Sequence, residues 1–362
     1  MNLLQSGEPS SARLSTIDLT QRGAFVDVLA RLGLTLVVSL RPHHVAFIGA
    51  VGGTLTAHVT PVNWPMGLAV SGGKLAVSTK RSVIVFANVA RLAASYPGRT
   101  GHFDAFFVPR QLHFTGECLM HDIAFDGAAI IGANTNFSCV CRVDGAFSFT
   151  PVWQPPFITQ LRPEDRCHLN GMAWRDGQLR YVTALSQSNA ERGWRATPDD
   201  AGVLIDTETN RILADTLCMP HSPRLIGDKL FVLNGGKGEV LHVDRSTGDA
   251  TVFATLPGFT HGLCEHGGYL FVGMSKNRDS RKDNPPPIAA ARKDLVCGIA
   301  MLDAKTGALL GAVEIADPVT EVYDIQPLSG IRTAGMQDLE TSDGFAAIDT
   351  PNTVIWTKRK DS

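Results

Sequence analysis

A hairpin that recurs at regular intervals constrains the fold of this chain more than any other feature of its sequence. Each copy is a short apolar strand, a turn that contains glycine, and a second apolar strand. The five copies span residues 67–79, 122–135, 171–184, 222–234 and 262–274. Their turn glycines, Gly73, Gly127, Gly177, Gly227 and Gly268, are spaced by 54, 50, 50 and 41 residues. That period is typical of a four-stranded blade of a β-propeller.

Three copies are followed by a second hairpin, which begins at Leu204, His242 or Met301. In each of these, Asp starts the turn and Thr precedes a Gly or Asn, where a positive φ is needed. A sixth, partial copy at 321–330 has no second strand of its own, so we expect the segment at 34–60 to supply the missing strands. The sequence therefore predicts an all-β, six-bladed β-propeller, closed by pairing of N-terminal strands with the C-terminal repeat.

The chain outside the repeats divides into three further parts. We expect an N-terminal extension over residues 1–33, with one short helix between residues 14 and 34, before a single propeller domain over 34–332. Residues 333–362 are predicted to form a C-terminal tail, packed on the outside or partly disordered. The segment 276–295 is charged and broken by prolines, which predicts a long surface loop within the fifth copy.

Charge and composition exclude several classes of partner. The formal net charge is -2, and the longest basic run is Lys358-Arg359-Lys360, so neither nucleic acid nor an anionic membrane is an expected partner. An export signal and a run of eighteen apolar residues are both missing from the sequence. The seven cysteines are odd in number and show no CxxC spacing, which favours reduced, mostly core-filling thiols. We therefore expect a cytoplasmic location.

Histidines recur where the innermost strand of a blade begins. These strands line the central channel of a propeller, so their starting residues converge on one rim although they are distant in sequence. His121, His168 and His221 lie at such positions, and His261 lies at a fourth. Imidazoles on a common rim can bind one divalent ion (Fe, Zn, Mn or Ca), with Asp122 as a ligand or partner. They can equally serve as acids and bases, or hydrogen-bond across the channel mouth without a metal.

Further polar residues accompany this histidine rim. The segment LRPEDRCHLNG places two carboxylates and two guanidiniums around His168, a pattern that suits an anionic substrate and a tuned general base. A self-contained salt-bridge cluster that caps the channel is the alternative. The residues predicted as catalytic are His121, His168, His221, Asp165, Arg166 and Tyr323. Those predicted to bind the substrate are Asn134, Arg162, Glu164, Asn170, Arg224 and Lys276.

Several motifs of the repeats stand together in a familiar order. HDIAF, NTNFSC, EDRCHLNG, YVTAL and MPHSPR occur in this order between residues 34 and 330. They resemble a bacterial family of conserved proteins of unknown function, often met beside biosynthetic or tetratricopeptide-repeat genes. The resemblance implies a six-bladed propeller and a lesser role for His261, which is not histidine in the usual family pattern. A likeness to lactonase and strictosidine-synthase-like propellers concerns the fold alone.

Two functions fit these features. The favoured one is an enzyme that acts on a small polar or anionic metabolite, with lyase, isomerase or hydrolase chemistry, or as an oxygenase if the rim holds a metal. The alternative is a non-catalytic scaffold or binding protein of a biosynthetic pathway, which uses its faces or the segment 276–295. The chain has no GxSxG, Walker or dinucleotide motif, and NGGKG at 234–238 opens no helix, so no nucleotide cofactor is expected.

Overall fold

A computed structural model of the chain describes residues 16–276, 285–339 and 345–358. Most of these residues form six sheets, with the four strands of each blade antiparallel, around a central channel, and the predicted six-bladed β-propeller is confirmed. The innermost strands of neighbouring blades contact one another around the whole ring. In the described part of the chain, no helix is long and apolar enough to cross a membrane.

Five blades are built from consecutive segments that run outward from the channel, and each begins with one of the predicted hairpins. Blades 2 and 3 contain β5 (Leu68–Ser71), β6 (Lys74–Ser78), β7 (Ser82–Asn88), β8 (Ala105–Phe114), β9 (Met120–Asp126), β10 (Ala129–Asn134), β11 (Cys139–Val143) and β12 (Thr150–Trp153). Blades 4 and 5 contain β13 (Leu169–Arg175), β14 (Gln178–Ala184), β15 (Gly202–Asp206), β16 (Arg211–Leu217), β17 (Pro220–Ile226), β18 (Lys229–Asn234), β19 (Glu239–Val243) and β20 (Ala250–Thr255). Blade 6 contains β21 (Phe259–His266), β22 (Tyr269–Ser275), β23 (Gly298–Asp303) and β24 (Leu309–Ile315).

Blade 1 joins the two ends of the propeller, as the sequence predicts. Its innermost strand is β25 (Glu321–Ser329), and the outer three are β2 (Leu34–Arg41), β3 (His44–Val51) and β4 (Thr54–Pro61). β25 pairs antiparallel with β2, with Val38 opposite Ile325. This pairing leaves no exposed sheet edge between the first and last repeats.

Additional elements extend two of the blades. β1 (Leu19–Gly23) adds a fifth strand to blade 6 beside β24, and β26 (Ala334–Met336) pairs in parallel with β8 of blade 2. β27 (Phe345–Asp349) and β28 (Val354–Lys358) form a separate hairpin. The short helices are α1 (Phe25–Leu32), α2 (Ala90–Ala93) and α3 (Pro287–Ala291), with 3₁₀ turns at Gly193–Ala196 and Gly235–Lys237. α1 is the short helix expected between residues 14 and 34, whereas residues 277–284 of the predicted surface loop lie outside the described residues.

Apolar side chains pack between neighbouring blades, because both faces of each sheet are covered. Between blades 1 and 2, the rings of Phe47 and Phe107 stack with centroids 5.7 Å apart. All seven cysteines are buried, and none forms a disulfide bond. Burial raises the pKa of the Cys167 thiol to about 12, so this cysteine behaves as an apolar core residue.

Candidate functional site

The register of the inner hairpins shows which residues occupy equivalent positions on the rim. The last pairs of these hairpins in blades 3, 5 and 6 are Asp126 with Ala129, Ile226 with Lys229, and His266 with Tyr269. His121, His221 and His261 each lie five residues before the first partner of the pair in their blade. His261 is therefore a full equivalent of the other two, although the family resemblance implied a lesser role for it.

The same register moves His168 out of this equivalent set. In blade 4, Arg175 pairs with Gln178, so Asn170 takes the position that histidine has in the other three blades. His168 lies two residues earlier and directly precedes β13, with a positive φ of 53°. Leu119 and Met219 precede β9 and β17 with the same kind of backbone, each at φ 51°. The prediction that His168 shares the strand position of His121 and His221 thus needs this correction.

The imidazole of His168 nevertheless lies beside the others, in a continuous arc of five rings that we call the rim cluster. From His168 to His121 the ring centroids are 4.9 Å apart, and from His121 to Tyr323 they are 5.4 Å apart. Tyr323 is 4.3 Å from His261, which is 4.3 Å from His221. Four of these rings belong to inner strands, and the fifth belongs to His168, which directly precedes β13. Together they line one end of the channel.

Backbone carbonyls determine the tautomer of the strand-start histidines. Nδ1 of His121 lies 2.8 Å from the carbonyl oxygen of Leu119, and Nδ1 of His221 lies 2.9 Å from that of Met219. A carbonyl only accepts hydrogen bonds, so each Nδ1 carries the proton and each neutral ring has its lone pair on Nε2. Burial first, and then nearby His168, lowers the pKa of His121 well below its ordinary value. His121 is therefore neutral at pH 7.

His168 has a different partner, the carboxylate of Asp165. Nδ1 of His168 lies 2.9 Å from Oδ1 of Asp165, and the indole N–H of Trp194 donates to Oδ2 of the same carboxylate at 2.8 Å. The indole ring also lies against the imidazole, with centroids 4.3 Å apart. Asp165 and His168 both have positive φ values, 45° and 53°. Backbone strain of this kind is a feature of sites that hold side chains in a required orientation.

One pocket, partly open to solvent, brings three of these histidines to a common space. Its polar lining residues are His121, His168, His221, Ser275, Lys276 and Glu321. Its apolar lining residues are Leu185, Trp194, Met219, Phe259 and Pro286. Most of the lining surface is apolar, and an apolar pocket with a few converging polar groups is the usual form of a small-molecule site.

The charged loop before His168 divides between two roles. Asp165 belongs to the site, but Arg166 donates to Glu164 and to Asn189, each at 2.8 Å. Arg162 is more than half exposed and bonds to Gln160. Apart from Asp165, this loop matches the alternative of a self-contained ionic cluster.

Of three other residues predicted to bind the substrate, only Lys276 lines the pocket. Asn134 accepts the backbone N–H of Phe137, and Asn170 donates to the carbonyl of Pro220. Both are buried hydrogen-bonding residues of the blades, and neither lines the pocket. Lys276 does line it, and its Nζ lies 2.7 Å from Oδ1 of Asp317.

Arg224 points into the channel away from the pocket and forms what we call the charge cluster with Asp122 and Asp324. Its Nη1 donates to Asp122 at 2.8 Å, and its Nη2 lies 3.8 Å from Asp324. Three backbone carbonyls, of Met172, Pro223 and Leu263, also accept hydrogen bonds from it. Burial raises the pKa of Asp324, although Arg224 opposes this change.

Arg41 is a residue of the rim that sequence reasoning missed. Its guanidinium lies 4.8 Å from the ring centroid of Tyr323 and 4.5 Å from that of Trp64. Arg41 ends β2, and a charged residue at the end of a mostly apolar strand was its one signal in the sequence. That the strand ends beside Tyr323 follows from the closure of the ring.

Metal binding stays a prediction. Over residues 16–276, 285–339 and 345–358, no three or more His, Cys, Asp or Glu side chains are arranged to hold a metal ion. The strand-start histidines still show one feature of metal ligands, because their Nδ1 protons are held by carbonyls.

Comparison with solved structures shows a likeness of fold to a nidogen/laminin complex. A structure of a nidogen/laminin complex aligns with a TM-score of 0.52 and 11% identity, over 82% of this chain and 99% of that one. A protein of unknown function from Bacteroides caccae aligns at 0.49 and 10%, over 82% and 98%. The computationally designed Ika8 protein aligns at 0.37 and 13%, over 82% and 81%.

Sequence comparison identifies the family directly. No curated protein matches the chain. A family model described as a domain of unknown function (DUF4915) matches residues 23–336, in agreement with the resemblance carried by the repeat motifs. With its propeller and its histidine rim established, the chain belongs to this family of unknown function.

Proposed function

We propose that this protein is an enzyme that removes a proton from carbon in a small polar or anionic metabolite, as lyases and isomerases do. The observation that carries the proposal is the chain of contacts from Trp194 through Asp165 to His168, which ends at the pocket. A carboxylate on Nδ1 orients an imidazole and stabilises its protonated form, so that Nε2 acts as a general base.

His121 gives this base a partner of opposite role. Its ring is 4.9 Å from that of His168, and both rings line the same pocket. His168 has a carboxylate to balance a positive charge, whereas buried His121 stays neutral. Two titratable groups whose environments differ in this way are suited to separate steps of a proton transfer. A cytoplasmic location is part of the proposal and rests on the sequence alone.

Hydrogen–deuterium exchange tests this proposal without a known product. The protein is incubated in D₂O with a mixture of hydroxy acids, oxo acids and amino acids, and deuterium gain at carbon is followed by mass spectrometry. We expect His168→Asn and Asp165→Asn to lower the exchange rate by about 10²- to 10⁴-fold. Asn tolerates the positive φ of both positions, so the backbone is retained.

The control is His242→Asn, on β19 and outside the pocket, which should keep the wild-type rate. An exchange rate unchanged in His168→Asn would contradict the proposal. Metabolites that bind to the pocket with no exchange in the wild-type protein would favour the alternative of a binding propeller.

A divalent ion at the rim is the second form of the proposal. It is favoured by the hydrogen bonds of Nδ1 in His121 and His221 to backbone carbonyls. These bonds fix the tautomer in which Nε2 has a lone pair for a metal ion. Elemental analysis of protein purified without a histidine tag tests it, followed by chelation and reconstitution. Full exchange activity in metal-free protein would rule this form out.

A further inference from the structure

Arg41 holds its guanidinium in a place that is closed to most of the solvent. Its side chain is 13% exposed, and the guanidinium carbon lies 4.5 Å from the ring centroid of Trp64 and 4.8 Å from that of Tyr323. Aromatic rings that stack on the faces of a guanidinium leave its five N–H donors at the edge of the plane. Those donors need acceptors in that plane.

The surrounding protein supplies almost no hydrogen-bond acceptors to the guanidinium of Arg41. The nearest carboxylate oxygen is Oε1 of Glu321, 3.9 Å from Nη1, which is too far for a hydrogen bond. In the part of the chain that the structure describes, the Arg41 side chain makes no hydrogen bond, and its Nε is buried without an acceptor. A buried donor without an acceptor is destabilising, so this state calls for an acceptor from outside the chain.

Two other arginines show that the protein normally satisfies such groups. Arg224 is similarly buried but donates to Asp122 and to three carbonyls. Arg180 also has a buried Nε without an acceptor, yet its two Nη atoms bind Asp206 and Glu208. Arg41 differs from both because, among the described residues, none of its N–H groups donates a hydrogen bond and its ion pair with Glu321 is 3.9 Å long.

Its position connects it with the pocket. Glu321, its nearest carboxylate, lines the pocket, and Tyr323, one of its stacking partners, is 5.4 Å from His121 in the rim cluster. Lys80 adds a second cation, with Nζ 3.6 Å from the Trp64 ring centroid. Arg41 therefore lies next to the rim cluster and next to a residue that lines the pocket.

We propose that Arg41 binds the carboxylate group of the substrate, and that the substrate is a small carboxylate with an apolar body. The proposal rests on the proposed function, because it names the substrate class of the same site. The fork of a guanidinium matches a carboxylate in two parallel hydrogen bonds. Leu185, Met219 and Phe259 would contact the apolar body. Arg41 thus takes the role that the sequence had suggested for Arg162, Arg166 and Arg224.

Calorimetric titration with hexanoate and its neutral amide, hexanamide, tests the proposal in the full chain. We expect the wild-type protein to bind hexanoate about 10- to 100-fold more tightly than hexanamide. Arg41→Gln should remove this preference. Arg41→Lys keeps the charge without the fork and should lose about tenfold in affinity for hexanoate. Inorganic phosphate, an anion without an apolar body, should bind more weakly than hexanoate.

Arg142→Gln is the matched control, since Arg142 is a partly exposed arginine of β11 paired with Asp126 and should leave all affinities unchanged. Equal binding of hexanoate and hexanamide by the wild-type protein, or a hexanoate preference that survives in Arg41→Gln, would overturn the proposal. Thermal melting confirms that each variant is folded. If Arg41→Gln does not fold, Arg41→Lys decides. Full affinity for hexanoate in this variant would overturn the proposal that the guanidinium binds the carboxylate through two parallel hydrogen bonds.

The two proposals fail in different ways. If neutral metabolites exchange deuterium and depend on His168 while carboxylates do not bind, the carboxylate proposal fails and the enzyme proposal stands. If hexanoate binding depends on Arg41 but no carboxylate exchanges deuterium, the binding site stands and the proton-transfer proposal fails.

Discussion

The rim cluster and the charge cluster occupy neighbouring levels of the same channel, but only the charge cluster satisfies its charged groups internally. Asp122 and Asp324 follow His121 and Tyr323 directly in sequence. Each aspartate accepts a backbone N–H from the next blade, of Met172 and Leu68 respectively. Arg224 lies between them with hydrogen bonds from Nε, Nη1 and Nη2. At the rim, by contrast, Arg41 donates no hydrogen bond within the described part of the chain, and histidines line an open pocket.

Under the proposed function, this difference separates a structural polar cluster from one that binds the substrate. The charge cluster joins blades 1, 3 and 5 across the channel, so its removal should destabilise the ring. The rim combines positive φ values, at Leu119, His168 and Met219, with an unsatisfied arginine. Strained and unsatisfied groups reduce stability, and they persist where function requires them.

The largest expected effect is on the charge cluster. Arg224→Met leaves Asp122 and Asp324 buried without their cation and should lower the free energy of unfolding by about 3–5 kcal/mol, as measured by urea denaturation. Arg142→Met, at the partly exposed pair with Asp126, should change it by less than about 1 kcal/mol. A loss below about 1 kcal/mol in Arg224→Met would remove the distinction between the two clusters.

Acid should lower the stability of the protein through its buried histidines. His58 provides a reference for this effect, because it lies outside both clusters. Burial first, and then the charges of Arg99 and His102, lowers the pKa of His58 to about 4. The unfolded chain takes up this proton near pH 6.5, so the stability contribution is complete above pH 6.5 and is lost as the pH falls toward 4. His58→Gln should remove about 2–3 kcal/mol of the stability lost between pH 7 and pH 4.

Thermal melting across this pH range measures the effect of His58→Gln. The acid sensitivity that remains includes His121 at the rim, whose pKa is lowered in the same direction. An identical pH dependence in the wild type and in His58→Gln would contradict the assignment.

A smaller effect is expected where the two levels meet, at Gly67. A Cβ at this position would lie 2.9 Å from Cα of Asp122 and 2.9 Å from the carbonyl oxygen of His121. Gly67→Ala should therefore lower the free energy of unfolding by about 1–2 kcal/mol, because the backbone of β9 must shift. Ser71→Ala, at the exposed end of β5, is the control and should be neutral. Unchanged stability in Gly67→Ala would mean that blades 2 and 3 can move apart at this contact without a cost in the free energy of unfolding.

The smallest effect on stability is expected at His168. Asn tolerates the φ of 53°, so His168→Asn should stay within about 1 kcal/mol of the wild type in urea denaturation, although the ring contact with Trp194 is lost. A stability loss above about 2 kcal/mol would assign His168 to the structural class, with Arg224.

The fold could be predicted from the sequence because its information is local. Each hairpin encodes its own turn and alternation, and the period of the copies gives the blade size, so even the closure of β25 on β2 could be predicted from one incomplete repeat. The convergence of His121, His221 and Tyr323 on one rim followed from the same repeats.

Tertiary structure decided which residues come together at the candidate site. Bulges in the inner hairpins of blades 3 and 4, and the left-handed residues Leu119 and His168 before their first strands, determine that Asn170, and not His168, is the equivalent of His121. Arg41 meets Tyr323 across 282 residues of sequence, and the absence of acceptors around its guanidinium depends on every neighbour at once. Sequence periodicity determines where a strand begins, whereas hydrogen-bond satisfaction depends on side chains from distant blades and exists only in the closed ring.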